Sequence, residues 1–211
     1  MRTRDFQQVL KSPVLAFEEG LNFFEGKGML NETLRRLVED LEYNSIEYSV
    51  IGAIALNLHG YQRFTVDIDI LLSKEGLYKF HEVLIGRGYR PAFDGAVKML
   101  RATERNIPIE IIISGEYPGD GKPKPISFPD PKEGSIVIDG IRTVPLETLI
   151  NLKLASGMTD PGRLKDLADV QELIRLKELD ALYAEKLHPY VREKFLELHR
   201  GVALSKDLGE S

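Results

Sequence analysis

Between Tyr48 and Ser73 the chain reads YSVIGAIALNLHGYQRFTVDIDILLS. An apolar run, a glycine, a short apolar segment and a polar loop lead into a second apolar run that carries Asp67 and Asp69. Side chains alternate between the two faces of a strand, so these aspartates share one face roughly 7 Å apart, while Val66, Ile68, Ile70 and Leu72 share the other. Two like charges on one face of a core strand repel each other and lose hydration. A divalent cation between them removes both penalties. The pattern predicts a strand over 46–51, a Gly52–Ala53 turn into a helix over 53–59 ended by Gly60, and a carboxylate-bearing strand over 66–72.

A glycine turn ahead of a helix leaves backbone N–H groups free at the helix N-terminus, where an anion is favoured. A phosphate there would face a metal at the aspartates, as a nucleoside triphosphate with Mg²⁺ requires. Taken singly, such a glycine only makes a turn, and an Asp-x-Asp often lies on a solvated edge; their succession points to chemistry. Glu110 interrupts the apolar run IPIEIII over 107–113. On a strand about 4.8 Å from the aspartate strand it completes a three-carboxylate set, holding metal near an attacking hydroxyl or acting as its general base. On an edge strand it simply faces water.

The rest of the chain supports a mixed architecture. Helices are predicted over 3–11, 14–25 and 32–43, the last capped by Asn31 and ended near Asn44. Ser73 caps a helix over 74–86. Strands over 96–102 and 107–113 pair through a turn at Arg105–Asn106. An irregular loop rich in Pro and Gly spans 115–134, and a hairpin over 135–143 turns on Asp139–Gly140. Helices follow over 146–156, 163–177, 179–187 and 189–200, with a polar tail after Gly201. The fold class is α+β: a mixed sheet with flanking helices and a C-terminal helical part. Residues 1–44 are read as N-terminal helices on the core, 45–144 as the α/β core and 145–211 as the helical part, all in one compact unit.

Composition narrows the functions. A chain of 211 residues buries a proper core. With no cysteine there is no disulfide framework, thiolate metal site or thiol nucleophile. No apolar run approaches about 18 residues and the N-terminus has no secretory pattern, so a cytoplasmic protein without a membrane partner is expected. The net charge of −5 argues against nucleic acid as the default partner and leaves room only for a local basic groove.

The run GAIALNLHGYQRFTVDID resembles the signature of the nucleotidyltransferase superfamily, with its DNA polymerase β-like fold: a glycine and a small residue, about a dozen residues, then Asp-x-Asp. With His-Gly, Arg and Thr ahead of the aspartates it most resembles the minimal nucleotidyltransferases, including the AbiEii toxin group of abortive-infection and toxin–antitoxin systems. VPLETLINLKLASGMTDPGRLKDLADVQELI is similar to the helical motif of that branch, with Lys153, Arg163, Lys165, Asp166 and Asp169. The matched segments, 48–73, 107–113 and 135–175, cover about a third of the chain.

The resemblance implies transfer of a nucleoside monophosphate from a nucleoside triphosphate to an acceptor hydroxyl, on tRNA, a protein or a small molecule, and it implies a possible cognate antitoxin as partner. It puts Gly52 and Ala53 at the triphosphate turn and Asp67, Asp69 and Glu110 on Mg²⁺ or Mn²⁺. Lys153 would reach the nucleotide phosphates, and Asp166 would assist nearby. Two positions depart from the superfamily: Ala53 where Ser or Gly is common, and Glu110 where Asp is commoner. The competing reading is an inactive nucleotide-binding or partner-binding module on the same fold. Arg63 and Thr65 precede the aspartates; Arg63 suits a phosphate as a bidentate donor or a local surface ion pair. Lys153 reads alternatively as a snorkelling helix residue, and Asp166 with Asp169 as a solvated face. His59 is read as structural, and His81, His188 and His199 lack metal spacing.

Overall fold

The computed structural model describes residues 5–207. Seven strands form one mixed sheet: β1 (Tyr48–Val50), β2 (Ile68–Leu72), β3 (Tyr89–Pro91), β4 (Met99–Ala102), β5 (Ile107–Ile113), β6 (Ile136–Ile138) and β7 (Ile141–Thr143). Their order is β3-β4-β5-β2-β1-β7-β6. Around them lie α1 (Phe6–Leu10), α2 (Pro13–Phe24), α3 (Gly28–Tyr43), α4 (Gly52–Leu58), α5 (Lys74–Val83), α6 (Leu146–Thr159), α7 (Leu164–Leu176) and α8 (Pro189–Asp207). Among the described residues no helix is long and apolar enough to cross a membrane.

The alternation of β2 and β5 creates two cores, one on each face of the sheet. Ile68, Ile70 and Leu72 lie with Ile109, Ile111 and Ile113 against Leu30, Leu34, Leu37 and Leu41 of α3 and Phe80 of α5. Leu71 points the other way, into a cluster with Leu149 and Leu154 of α6, Val170 and Leu173 of α7, and Val191 and Phe195 of α8. Each of these side chains contributes about 1.5–3 kcal/mol by leaving water. Asp69 lies between Ile68 and Ile70, so it shares the face of Leu71, and the C-terminal helices are what close over it.

Several elements match the sequence reading and several do not. The Arg105–Asn106 turn joins antiparallel β4 and β5, with Asn106 at φ 59°. Asp139 and Gly140, at φ 50° and 77°, make the hairpin turn of β6 and β7. Ser73 caps α5 by accepting from the Gly76 N–H at 2.9 Å. The 115–134 loop carries no helix or strand.

Asn31, by contrast, caps nothing. It sits in the second turn of α3, where its amide donates to the carbonyls of Lys27 at 2.7 Å and Phe23 at 2.9 Å. The α3 N-terminus is capped instead from α2, where buried Glu19 accepts from the Leu30 N–H at 3.2 Å. Val66 is 41% exposed and precedes β2, so the buried alternation begins only at Ile68. Strand β3 went unread because three residues ending in proline show no period. Residues 181–186 form a 3₁₀ turn rather than an α-helix. Helix α8 runs beyond Gly201 to Asp207 because Val202 still packs in the core. Residues 1–4 and 208–211, at the ends of the first predicted helix and the polar tail, lie outside the described residues.

Candidate active site

A cavity of about 430 Å³ opens between the sheet face of Asp69 and the helices α6 and α7. Gly52, Ala53, Arg63, Thr65, Asp67, Asp69, Glu110, Lys153 and Asp166 all line it, so the fold brings these nine candidate residues to one place. Three local devices do this. Strands β2 and β5 run parallel with Asp69 opposite Glu110, which sets these carboxylates side by side. Strand β5 lies between β4 and β2 and is not an edge, yet Glu110 itself is exposed into the opening. Asp67 sits just ahead of β2 and accepts a hydrogen bond from the Thr65 hydroxyl, which orients it.

Gly52 begins α4 at φ 66°, in the left-handed region that side chains avoid. A Cβ there would overlap the Asp69 carboxylate. Glycine at this turn therefore lets the backbone lie against the acid. Gly52→Ala is expected to cost about 1–2 kcal/mol in backbone strain alone. Displacement of the Asp69 carboxylate should add to that cost, and urea unfolding of the variant beside the parent chain measures the sum.

Asp69 carries the most perturbed charge of the site. Burial raises its pKa to about 7, helped by Asp67 and Glu110 and opposed by Lys153 and Arg163. No hydrogen bond stabilises its ionised form among the described residues. Asp166 goes the other way. Burial opposes its ionisation, but the Lys153 ammonium, the Ser156 hydroxyl and Arg163 outweigh it and hold its carboxyl below the ordinary value.

The helical wall is a closed ionic network. Lys153 donates to Asp166 at 2.9 Å and to Asp169 at 2.7 Å, Ser156 donates to Asp166 at 2.7 Å, and Arg63 pairs with Asp169. Lys153 and Asp169 are buried, so neither the snorkelling reading of Lys153 nor the solvated-face reading of the acids holds. Arg63 is paired inside the cavity wall rather than on the surface. Asp169 is the residue that sequence reasoning undervalued. Its spacing of three from Asp166 showed a shared face, but only the packing of α6 against α7 reveals that this face is internal. His59 is structural as expected, buried with Nε2 2.9 Å from the Val144 carbonyl.

Comparison with solved structures identifies the architecture. The antibiotic-resistance factor ANT(2'')-Ia aligns with a TM-score of 0.50 at 15% identity, over 84% of this chain and 96% of its own. The two chains share a fold. A candidate nucleotidyltransferase from Helicobacter pylori aligns at 19% identity over 82% of this chain and 91% of its own, with a TM-score of 0.46. Another from Thermotoga maritima aligns at 18% identity over 68% and 91%, with a TM-score of 0.43. No protein-family model and no curated protein matches the sequence. In this fold the carboxylates lie on the central strands and the ionic network on the helices facing them.

Proposed function

We propose that the protein transfers a nucleoside monophosphate from a nucleoside triphosphate to an acceptor hydroxyl. The observation that carries this reading is Asp69, a carboxylate lodged against Gly52 beside Asp67 and Glu110, whose oxygens accept no hydrogen bond among the described residues. A divalent cation is the natural counter-charge, and the donor set suits Mg²⁺ or Mn²⁺, which take oxygen ligands. Among the described residues no three acids or imidazoles converge into a cage able to hold an ion alone. Mg²⁺ commonly takes one or two carboxylates and completes its shell with substrate phosphates and water. Asp67 and Asp69 would hold it, with Glu110 alongside. When bound, the cation neutralises charge on the phosphates and on the attacking and leaving oxygens.

The chain's own residues then divide the work. The bare backbone of Gly52 and Ala53 gives the triphosphate close approach. Lys153 and Arg63, held rigid by Asp166 and Asp169, fix N–H donors on the opposite wall of the cavity, where charge developing on pyrophosphate is met without reorganisation. Glu110, exposed at the mouth, accepts the proton of the acceptor hydroxyl as its oxygen attacks the α-phosphorus and pyrophosphate leaves. Thr65 keeps the Asp67 carboxylate aimed at the cavity. The test is transfer of label from α-labelled triphosphates with Mg²⁺ or Mn²⁺ into fractionated cell extract. Asp67→Ala should reduce transfer by about a hundredfold or more with its melting temperature little changed. Undiminished transfer by that variant would remove Asp67 from the site.

A further inference from the structure

The sheet face that carries Asp69 and Glu110 continues outward across β5, β4 and β3. Tyr89, Leu100, Ala102, Ile107 and Ile109 are buried in the core on one side, so the residues alternating with them face the other. Glu110 pairs with Met99, Pro108 with Arg101, and Arg101 with Arg90. Asp69, Glu110 and Met99 thus form one row across three strands. Pro108, Arg101 and Arg90 form the next row, roughly 7 Å along them. The apolar cluster beneath the C-terminal helices includes no residue of β3 or β4, so this part of the face is uncovered. Met99 is 45% exposed on it, and Phe93, just after β3, is 62% exposed.

Arg90 and Arg101 are an uncompensated pair. Like charges directly opposite on neighbouring strands destabilise a sheet. Nearby arginines have acidic partners, Arg36 with Glu104 and Arg105 with Glu32, but neither member of this pair is salt-bridged among the described residues. Both are instead positioned by Asn106. Arg101 donates to its backbone carbonyl at 2.9 Å and Arg90 to its side-chain oxygen at 2.9 Å. The Asn106 amide nitrogen donates to Asp5 at 3.0 Å, which leaves its oxygen turned toward Arg90. Two guanidiniums, each with five N–H donors, are therefore set side by side with donors to spare.

We infer that this pair binds a phosphate of the acceptor, so that the acceptor is a phosphate-bearing molecule, in the first instance the end of a nucleotide chain. The inference rests on the nucleotidyltransferase reading of the neighbouring row. Both guanidiniums reach to Asn106, four residues before Glu110 along the chain, so a phosphate on them lies roughly 13–16 Å from Glu110. That is a span of about four to five stacked nucleotides at 3.4 Å each. A bound phosphate removes the repulsion between the arginines, and Met99 offers apolar surface to the bases. The same charges disfavour a polycationic acceptor. The overall charge of −5 does not oppose this, because the two rows lie within about one Debye length of each other and local charge dominates.

The test compares the full chain with its Arg90→Ala/Arg101→Ala variant. The probes are a fluorescein-labelled, mixed-sequence single-stranded RNA of about eight nucleotides, followed by anisotropy across a salt series, and ribose 5-phosphate and Mg²⁺–ATP, followed by calorimetry. Expected are a tenfold or greater loss of RNA affinity, a salt slope shallower by about 1.4, an unchanged or raised melting temperature and unchanged Mg²⁺–ATP binding. Equal RNA binding with ribose 5-phosphate affinity lost only in the variant assigns the same site to a small phosphorylated acceptor. Identical binding of both phosphate probes by the two proteins overturns the inference. So does joint loss of Mg²⁺–ATP binding, which would give the pair to the donor nucleotide. A wild-type protein that binds RNA through the pair but no triphosphate sinks the transferase reading and leaves the phosphate site standing.

Discussion

Asp69→Asn is expected to end nucleotide transfer and, in metal-free protein, to stabilise the fold at neutral and alkaline pH. The sign follows from the pKa, raised by burial and by Asp67 and Glu110 to about 7. A carboxyl whose folded pKa stands above its unfolded value contributes stability that is full below the unfolded value near 4. That contribution is lost as pH rises through about 7. Three units correspond to about 4 kcal/mol at most, and since Asp69 is only half-buried about 2 kcal/mol is the expected size. Melting curves in EDTA should therefore show wild type weakening between pH 4 and 7 and levelling above, while Asp69→Asn lacks this decline. Mg²⁺ should restore wild type at pH 8 and leave the variant unmoved, since a ligand stabilises only the state that binds it. Parallel pH curves would mean that Asp69 is not the strained charge of the site.

The largest loss of stability is expected at Asp169 rather than among the strand carboxylates. Its buried carboxylate pairs with Arg63 and accepts from Lys153. Asp169→Ala leaves the buried ammonium with Asp166 alone and the Arg63 guanidinium unpaired in the cavity wall. Breaking one partner of such a network costs about 3–5 kcal/mol. Arg63 also anchors the loop before the aspartates, exchanging two backbone hydrogen bonds with the Asn57 amide at 3.1 and 2.7 Å. Its release should loosen Thr65 and Asp67 as well. Urea unfolding should show the loss, and adding Lys153→Met in the same chain should recover part of it by removing the stranded charge. A loss below about 1 kcal/mol would show that water compensates these charges and that the network is not rigid.

The strand, turn and helix around Gly52 were legible because their signals are local. An apolar run ended by glycine and a second run with period two specify strand–turn–helix–strand without reference to the rest of the chain. The Asp139–Gly140 hairpin and the Ser73 cap were legible for the same reason. The failures have the opposite character. Asn31 looks like a cap from its neighbours, but Glu19 on another helix takes that role. Strand β3 exists only because β4 pairs with it, and α8 extends past Gly201 because Val202 finds a core to enter.

The candidate site divides along the same line. The sequence by itself singled out the paired aspartates before and on β2 and the lone glutamate of β5, and its resemblance added Lys153 and Asp166. It determined through strand alternation that Asp69 and Leu71 share a face. Only the tertiary structure decided that this face is the one closed by α6 and α7. It alone decided that Lys153, Asp166 and Asp169 point into that closure, and that Arg90 and Arg101 stand unpaired in the next row. The reason is that charge and period are properties of a segment, whereas burial and neutralisation depend on which distant segment packs opposite.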